Sequence, residues 1–159
     1  MTDQRRGQNH DKGHHGDPLR RKKENCIRIL LHNPGGIGFV SNQRSKETLK
    51  MEKLKKLILE QNVDITCLTE VNKDWRTIAY DNTIWGATIG WREHRRVQVA
   101  HNRTVAPGDS EFQVGGSAML MLGDVTFRIS AQGADSRNLG RWSFITLTGK
   151  NSITTTVFT

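Results

Sequence analysis

The sequence predicts a sandwich of the α/β or α+β class built on mixed β-sheets. Two observations carry this. Residues 26–70 read as strand, amphipathic helix, strand, and residues 95–159 read as short Thr-, Val-, Ile- and Phe-rich segments divided by Gly and Asn turns. At 159 residues the chain fits one domain, or part of a larger one, and can bury a real core.

The chain opens with a charged stretch. Residues 1–24 hold seven Lys/Arg, four Asp/Glu and three His with almost nothing apolar, so they are expected to be a disordered basic arm, with the ordered domain from residue 25 to 159. The formal net charge is +8, which favours polyanionic partners such as DNA or another polynucleotide; plain solubility is the bland alternative. "RRKK" at residues 20–23 reads either as a nuclear address or as a charged tail. No secretory signal and no run of membrane-spanning length is visible, so an intracellular, soluble protein is the expectation. Cys26 and Cys67 match no metal or redox spacing and read as buried free thiols.

The first ordered element is "CIRILLH" (26–32), whose continuous apolar run suits a strand buried on both faces. "NPGGIG" stops it. "SKETLKMEKLKKLILEQN" (45–62) then has helical periodicity, with Ser45 at its start as a cap. Met51, Leu54, Leu57 and Ile58 form its apolar stripe, and Lys50, Lys53, Lys55 and Lys56 its wet face. "VDITCLTE" (63–70) returns as a second strand, so the two strands should be parallel neighbours. Residues 73–81 read as a short helix burying Trp75 and Ile78. "RRVQVAHN", "GGSAMLMLG", "VTFRIS", "RWSFITLTG" and "SITTTVFT" follow as strands, and the last stops within a hydrophobic element, as expected of the first part of a longer domain.

Parallel neighbouring strands place Asn33 and Glu70 at one edge of the sheet, where ligands sit in open α/β folds. An oxygen-rich site there favours Mg²⁺ or Mn²⁺, and one carboxylate suffices for Mg²⁺ when phosphate and water complete the shell. The alternative is that Glu70 serves a loop and Asn33 a turn. "NPGGIG" fits neither familiar phosphate-loop spacing and reads as conformational. His32, His94 and His101 assemble no Ser-His-Asp arrangement. Arg92, Arg95 and Arg96 in "WREHRR", and Arg137 and Arg141 in "DSRNLGRW", are candidates for gripping phosphate; exposed charged loops and a structural turn are the alternatives.

"IRILLHNPGGIG", the Lys-rich helix and "DITCLTEVNKDW" resemble the opening of the endonuclease/exonuclease/phosphatase superfamily. "VGGSAMLM" and "DSRNLGRWSFITLTGKNSITTTVFT" resemble the middle strands of its retroelement branch, in which the nuclease precedes a reverse transcriptase. The resemblance implies a partial four-layer α/β/β/α sandwich with mixed β-sheets. It implies Mg²⁺-dependent phosphodiester hydrolysis of DNA, with Glu70 on the metal and Asn33 helping to organise metal and phosphate. Arg92, Arg95, Arg96, Arg137 and Arg141 would hold substrate. The family's later Tyr, Asp-Asn and Asp-His elements have no counterpart before Thr159, so about half an active site is expected here. A non-catalytic nucleic-acid-binding relic of the fold and a phosphomonoesterase are the rival readings.

Overall fold

A computed structural model describes residues 20–38 and 46–159. Their elements are β1 (Ile29–His32), α1 (Lys46–Glu60), β2 (Ile65–Thr69), α2 (Ile84–Ala87), β3 (Arg95–Ala100), β4 (Ser117–Leu122), β5 (Ile129–Ala134), β6 (Ser143–Thr148) and β7 (Thr154–Phe158). The first sheet has the order β1-β2-β4-β3, with β1 parallel to β2 and the other pairings antiparallel. The second is the antiparallel meander β5-β6-β7. The expected α/β sandwich with a mixed sheet is therefore present.

Strand alternation divides the interior into two cores. Leu68, Ala118, Leu120, Val97 and Val99 share one core with Met51, Leu54 and Ile58 of α1, which places the helix against the first sheet. Ile65, Cys67, Met119 and Met121 face the other way and meet Ile145 and Leu147 of the second sheet. Cys67 lies opposite Met119 and Ile65 opposite Met121, so each apolar pair fills one layer of the sandwich. All six residues of β4 are buried, as a central strand covered on both faces requires. Burial in this layer pushes the Cys67 thiol up to about 11, so it stays protonated at neutral pH.

Several expectations need correcting. β1 is an edge strand and not buried on both faces: Ile29 is 48% and Leu31 69% exposed. Both lie opposite β2 residues of the inter-sheet core, Ile65 and Cys67, where the second sheet does not reach. Cys26 is exposed, because it precedes β1. Leu57 leaves the helical stripe and is 38% exposed. Residues 73–81 are not one helix. Asp74 accepts from the Arg76 backbone N–H at 3.1 Å and closes a turn, and helical structure starts only at Tyr80–Asn82 (3₁₀) and Ile84–Ala87. The burial of Trp75 and partial burial of Ile78 stand. "VTFRIS" begins as 3₁₀ (Gly123–Arg128) and becomes strand only at Ile129, because Thr126 Oγ1 bonds back to the Gly123 carbonyl at 2.8 Å. The expected cap at Ser45 and most of the basic arm lie outside the described residues. Among the described residues no helix is long and apolar enough to cross a membrane.

Candidate active site

Parallel pairing from Ile29↔Ile65 to His32↔Leu68 brings the carboxyl ends of β1 and β2 to one edge. Backbone bonds stitch together the loops that leave them. The Gly36 N–H donates to the Glu70 carbonyl at 2.8 Å, and the Ile37 N–H to the Val71 carbonyl at 3.2 Å. β4 begins at the same edge, with Ser117 opposite Thr69. There the Val71 N–H donates to Gly116 and the Asn72 N–H to Gly115, at 3.3 and 2.8 Å, while Asn72 Oδ1 accepts from the Gly115 N–H at 2.8 Å. Gly116 could carry no side chain without crowding. Its φ is +80°, and a Cβ would sit 3.0 Å from Val71 Cγ2 and 3.1 Å from the Ala100 carbonyl.

These bonds hold Glu70 at φ +50°, a left-handed conformation unusual for a residue with a long side chain. Its carboxylate is exposed and has no hydrogen bond or ion pair among the described residues. It lines a cavity of about 280 Å³ with Gly115, Ser117, Val114, Leu139 and Arg141. Arg141 is steered there by Asp135, whose Oδ2 accepts from Arg141 Nε at 3.3 Å. Asp135 is buried. The Arg137 backbone N–H, 2.9 Å from its Oδ1, leads in holding its carboxyl below the usual carboxylate range, and the Arg141 guanidinium adds to this. The turn at 135–141 is thus structural, as one reading of the sequence had it, and it also delivers an arginine beside Glu70.

Asn33 takes a different part. Its Oδ1 accepts from the Gly35 N–H at 2.9 Å, forming an Asx turn, and it lies outside the lining of the Glu70 cavity. Lys50, read from the sequence as part of a wet helical face, donates from Nζ to the Pro34 carbonyl at 2.8 Å and ties α1 to this loop. Arg137 sits exposed in the turn before Arg141. Arg92, Arg95 and Arg96 are at the other end of the sheet, since Arg95 pairs with Leu122 at the far end of β4. The structure therefore brings Glu70 together with Arg141, holds Asn33 on the adjoining loop, and separates the Arg92–Arg96 group from all three.

A second charged cluster, Asp74, Arg76 and His101, escaped the sequence reading. Arg76 grips buried Asp74 through Nε at 2.9 Å and Nη2 at 2.7 Å, and His101 Nε2 lies 4.0 Å from Asp74 Oδ1. The Arg76 side chain leads in holding Asp74 below the usual carboxylate range, and burial opposes it. Nothing in the spacing of 74, 76 and 101 signals this. The contact depends on a long loop returning to β3.

The donor set fits a hard divalent ion only in part. Glu70 offers an unpaired carboxylate at a strand end, but among the described residues no group of three or more His, Cys, Asp or Glu is placed to hold a metal.

No protein-family model and no curated protein matches this sequence. Among solved structures, the chain is similar to an endonuclease/exonuclease/phosphatase family protein from Leptotrichia buccalis C-1013-b, with a TM-score of 0.57 and 14% identity over 84% of this chain and 54% of that one. At that identity the match shows a shared fold, and the chain spans about half the length of the structure it matches.

Proposed function

We propose that the chain is the N-terminal portion of a metal-dependent phosphodiesterase acting on DNA, with Glu70 as a metal-holding carboxylate. The observation that carries this reading is Glu70 itself: an unpaired, exposed carboxylate held in a left-handed conformation at the end of a buried strand, sharing a cavity with Arg141. Left-handed backbone at a residue with a Cβ is among the features that cluster at functional sites, though turn residues such as Asn151 and Ser152 adopt it here too. Mg²⁺ or Mn²⁺, when bound, would neutralise charge developing on the phosphoryl oxygens. Glu70 would hold one position of its shell. Arg141 would present its remaining guanidinium N–H groups to phosphate, with Asp135 fixing its orientation. Asn33 would act through its loop by keeping Gly36 against the Glu70 backbone. Placement in the retroelement branch rests on the "GGSAMLM" and "GRW" segments.

Among the described residues, the cavity lining holds no second carboxylate and no His to take a proton from attacking water. A continuation of the domain, consistent with the half-length match, would supply that group, as well as cover Ile29 and Leu31. This chain alone should therefore bind metal and hydrolyse slowly, since positioned proton transfer contributes about 10²- to 10⁴-fold. The sparse donor set favours a second reading, a non-catalytic nucleic-acid-binding relic. Calorimetric titration of Mn²⁺ into wild type and Glu70→Gln, beside Mg²⁺-dependent nicking of supercoiled plasmid, separates the two. Binding and nicking that are lost with Glu70→Gln support the hydrolase. DNA binding indifferent to metal and to Glu70 would favour the relic.

A further inference from the structure

The pole of the sandwich opposite Glu70 carries a larger cavity, of about 1060 Å³, lined in part by Lys22, Lys23, Arg92, Arg128 and Lys150. Its position follows from the register. It collects residues just before β2 (Asp64), just after β4 (Gly123) and just after β6 (Gly149), whereas the Glu70 cavity takes Glu70 after β2 and Ser117 at the start of β4. β4 separates the two, and six residues of strand span about 17–20 Å.

Near Glu70 three cations are paired with carboxylates, although Lys50 is held by the Pro34 carbonyl and Arg137 has no acidic partner among the described residues. Following Glu70, Lys73 is held by Glu111 at 3.1 Å and Arg76 by Asp74 at 2.7 Å, and Arg141 is held by Asp135 at 3.3 Å. At the far pole Lys22 is likewise neutralised by Asp64 at 2.6 Å. The other basic groups there are not paired with carboxylates. Arg92 Nη2 donates to Asn62 Oδ1 at 3.4 Å, and Arg128 Nε to the Thr148 carbonyl at 3.3 Å. Both guanidinium groups are thus oriented by neutral acceptors and keep full charge and spare donors. Lys23 and Lys150 have no side-chain partner among the described residues. Glu24 and Asp124 are the acids of the lining that remain after Asp64 is paired.

Four cations without a carboxylate partner, against the two unpaired acids, leave the open cavity net positive, which suits a run of spaced phosphates better than a compact, singly charged ligand. We infer that this pole is a second polynucleotide-backbone site, distinct from the Glu70 edge and independent of hydrolysis there. It would track sugar-phosphate, because the lining, whose uncharged side chains include Asn25, Ile27 and Val125, carries no aromatic ring on which a base could stack. The chain reaches this pole through Arg20–Lys23, so the "RRKK" run and the cavity form one basic surface.

The test is binding of the full 159-residue chain to a labelled 20-base-pair duplex across a salt series. The variants are the Arg92→Ala/Arg128→Ala/Lys150→Ala triple, the single Lys150→Ala, and Glu70→Gln. The triple should weaken binding at least tenfold at low salt and lower the slope of log Kd against log salt by about 2.7, about 0.9 per phosphate contact. Lys150→Ala alone should lower the slope by about 0.9, and it guards against misfolding of the triple because Lys150 is exposed. Glu70→Gln should leave the slope unchanged. An unchanged slope in both Lys150→Ala and a folded triple would overturn the assignment. So would binding to phosphatidylserine vesicles that is stronger than duplex binding and shows the larger loss in the triple.

Discussion

The Gly36 N–H donates to the Glu70 carbonyl at 2.8 Å, so the loop after β1 fixes the backbone of the strand-end carboxylate after β2. This clamp, with the Gly115 and Gly116 bonds beyond it, sustains the left-handed φ of +50° at Glu70. A left-handed residue with a Cβ costs about 1–2 kcal/mol, and glycine there would return about 0.5–1 kcal/mol of that in unfolded-state entropy. Glu70→Gly should therefore raise stability by up to about 1 kcal/mol in urea melts while abolishing metal binding. Glu70→Gln should leave stability within about 0.5 kcal/mol and lose metal equally. If Glu70→Gly destabilises instead, the carboxylate serves the fold and the functional reading of its strain is wrong.

Gly140 supplies a sharper contrast between space and strain. Its φ is +72°, and a Cβ would lie 2.4 Å from the His101 carbonyl carbon and 2.5 Å from the Asn102 nitrogen, both rigid backbone. The Asn102–Leu139 bridge and the Arg103 N–H to Asn138 carbonyl bond at 2.8 Å leave that backbone no room to retreat. Gly140→Ala should cost more than about 2 kcal/mol and displace Arg141. Gly115→Ala has the same sign of φ, at +83°, but meets nothing within 4 Å and should cost only about 1 kcal/mol. Equal losses in chemical denaturation would mean that backbone conformation, not the close approach, decides both sites.

Parallel β1 and β2 and the placement of Asn33 and Glu70 at one edge were legible in the sequence, because the strand-helix-strand pattern admits few topologies and strand ends follow from it. The edge position of β1 was not. Its apolar run looks the same whether the second sheet covers Ile29 and Leu31 or stops short of them. Arg92, Arg95 and Arg96 were grouped with Glu70 by charge alone, and only the antiparallel register of β3 on β4 sends them to the far pole. The Arg141–Asp135 pair was half visible. "DSRNLGRW" announces a turn, but its delivery beside Glu70 needs the second sheet to pack on the first.

That packing is locked at one buried point. Ser117 Oγ of β4 and Ser143 Oγ of β6 lie 3.0 Å apart, joining the two sheets next to the Glu70 edge. Removing one hydroxyl leaves the other buried without a partner, which costs about 1–3 kcal/mol, while removing both leaves an apolar contact. Ser117→Ala and Ser143→Ala should each destabilise, and the double variant should be more stable than the sum of the singles by at least about 1 kcal/mol. Strict additivity in the double-mutant cycle would show that the hydroxyl pair couples nothing.

His101 sets the acid limit of the fold. It is 5% exposed, and neither ring nitrogen has a hydrogen-bond partner among the described residues. Burial is the largest influence and lowers its pKa, repulsion from Arg103 adds to this, and Asp74 opposes it more weakly than burial acts. A histidine ordinarily titrates near about 6.5. With its folded value below that, the unfolded chain takes up the proton first as pH falls, so stability is full above about 6.5 and declines below it. Asp74 acts in a different window. Its folded value is lowered, so its contribution is present above the usual carboxylate value of about 3.9 and fades only as pH falls through the lower one. The melting temperature of the wild type should therefore drop between pH 7 and pH 5, above the window in which Asp74 acts. His101→Leu, which removes the proton site and keeps an apolar filling, should flatten that segment and leave the loss below about pH 4 in place. A wild-type profile level from pH 7 to 5 would mean that the imidazole gains a partner when protonated, a role open to Asp74 Oδ1, 4.0 Å away.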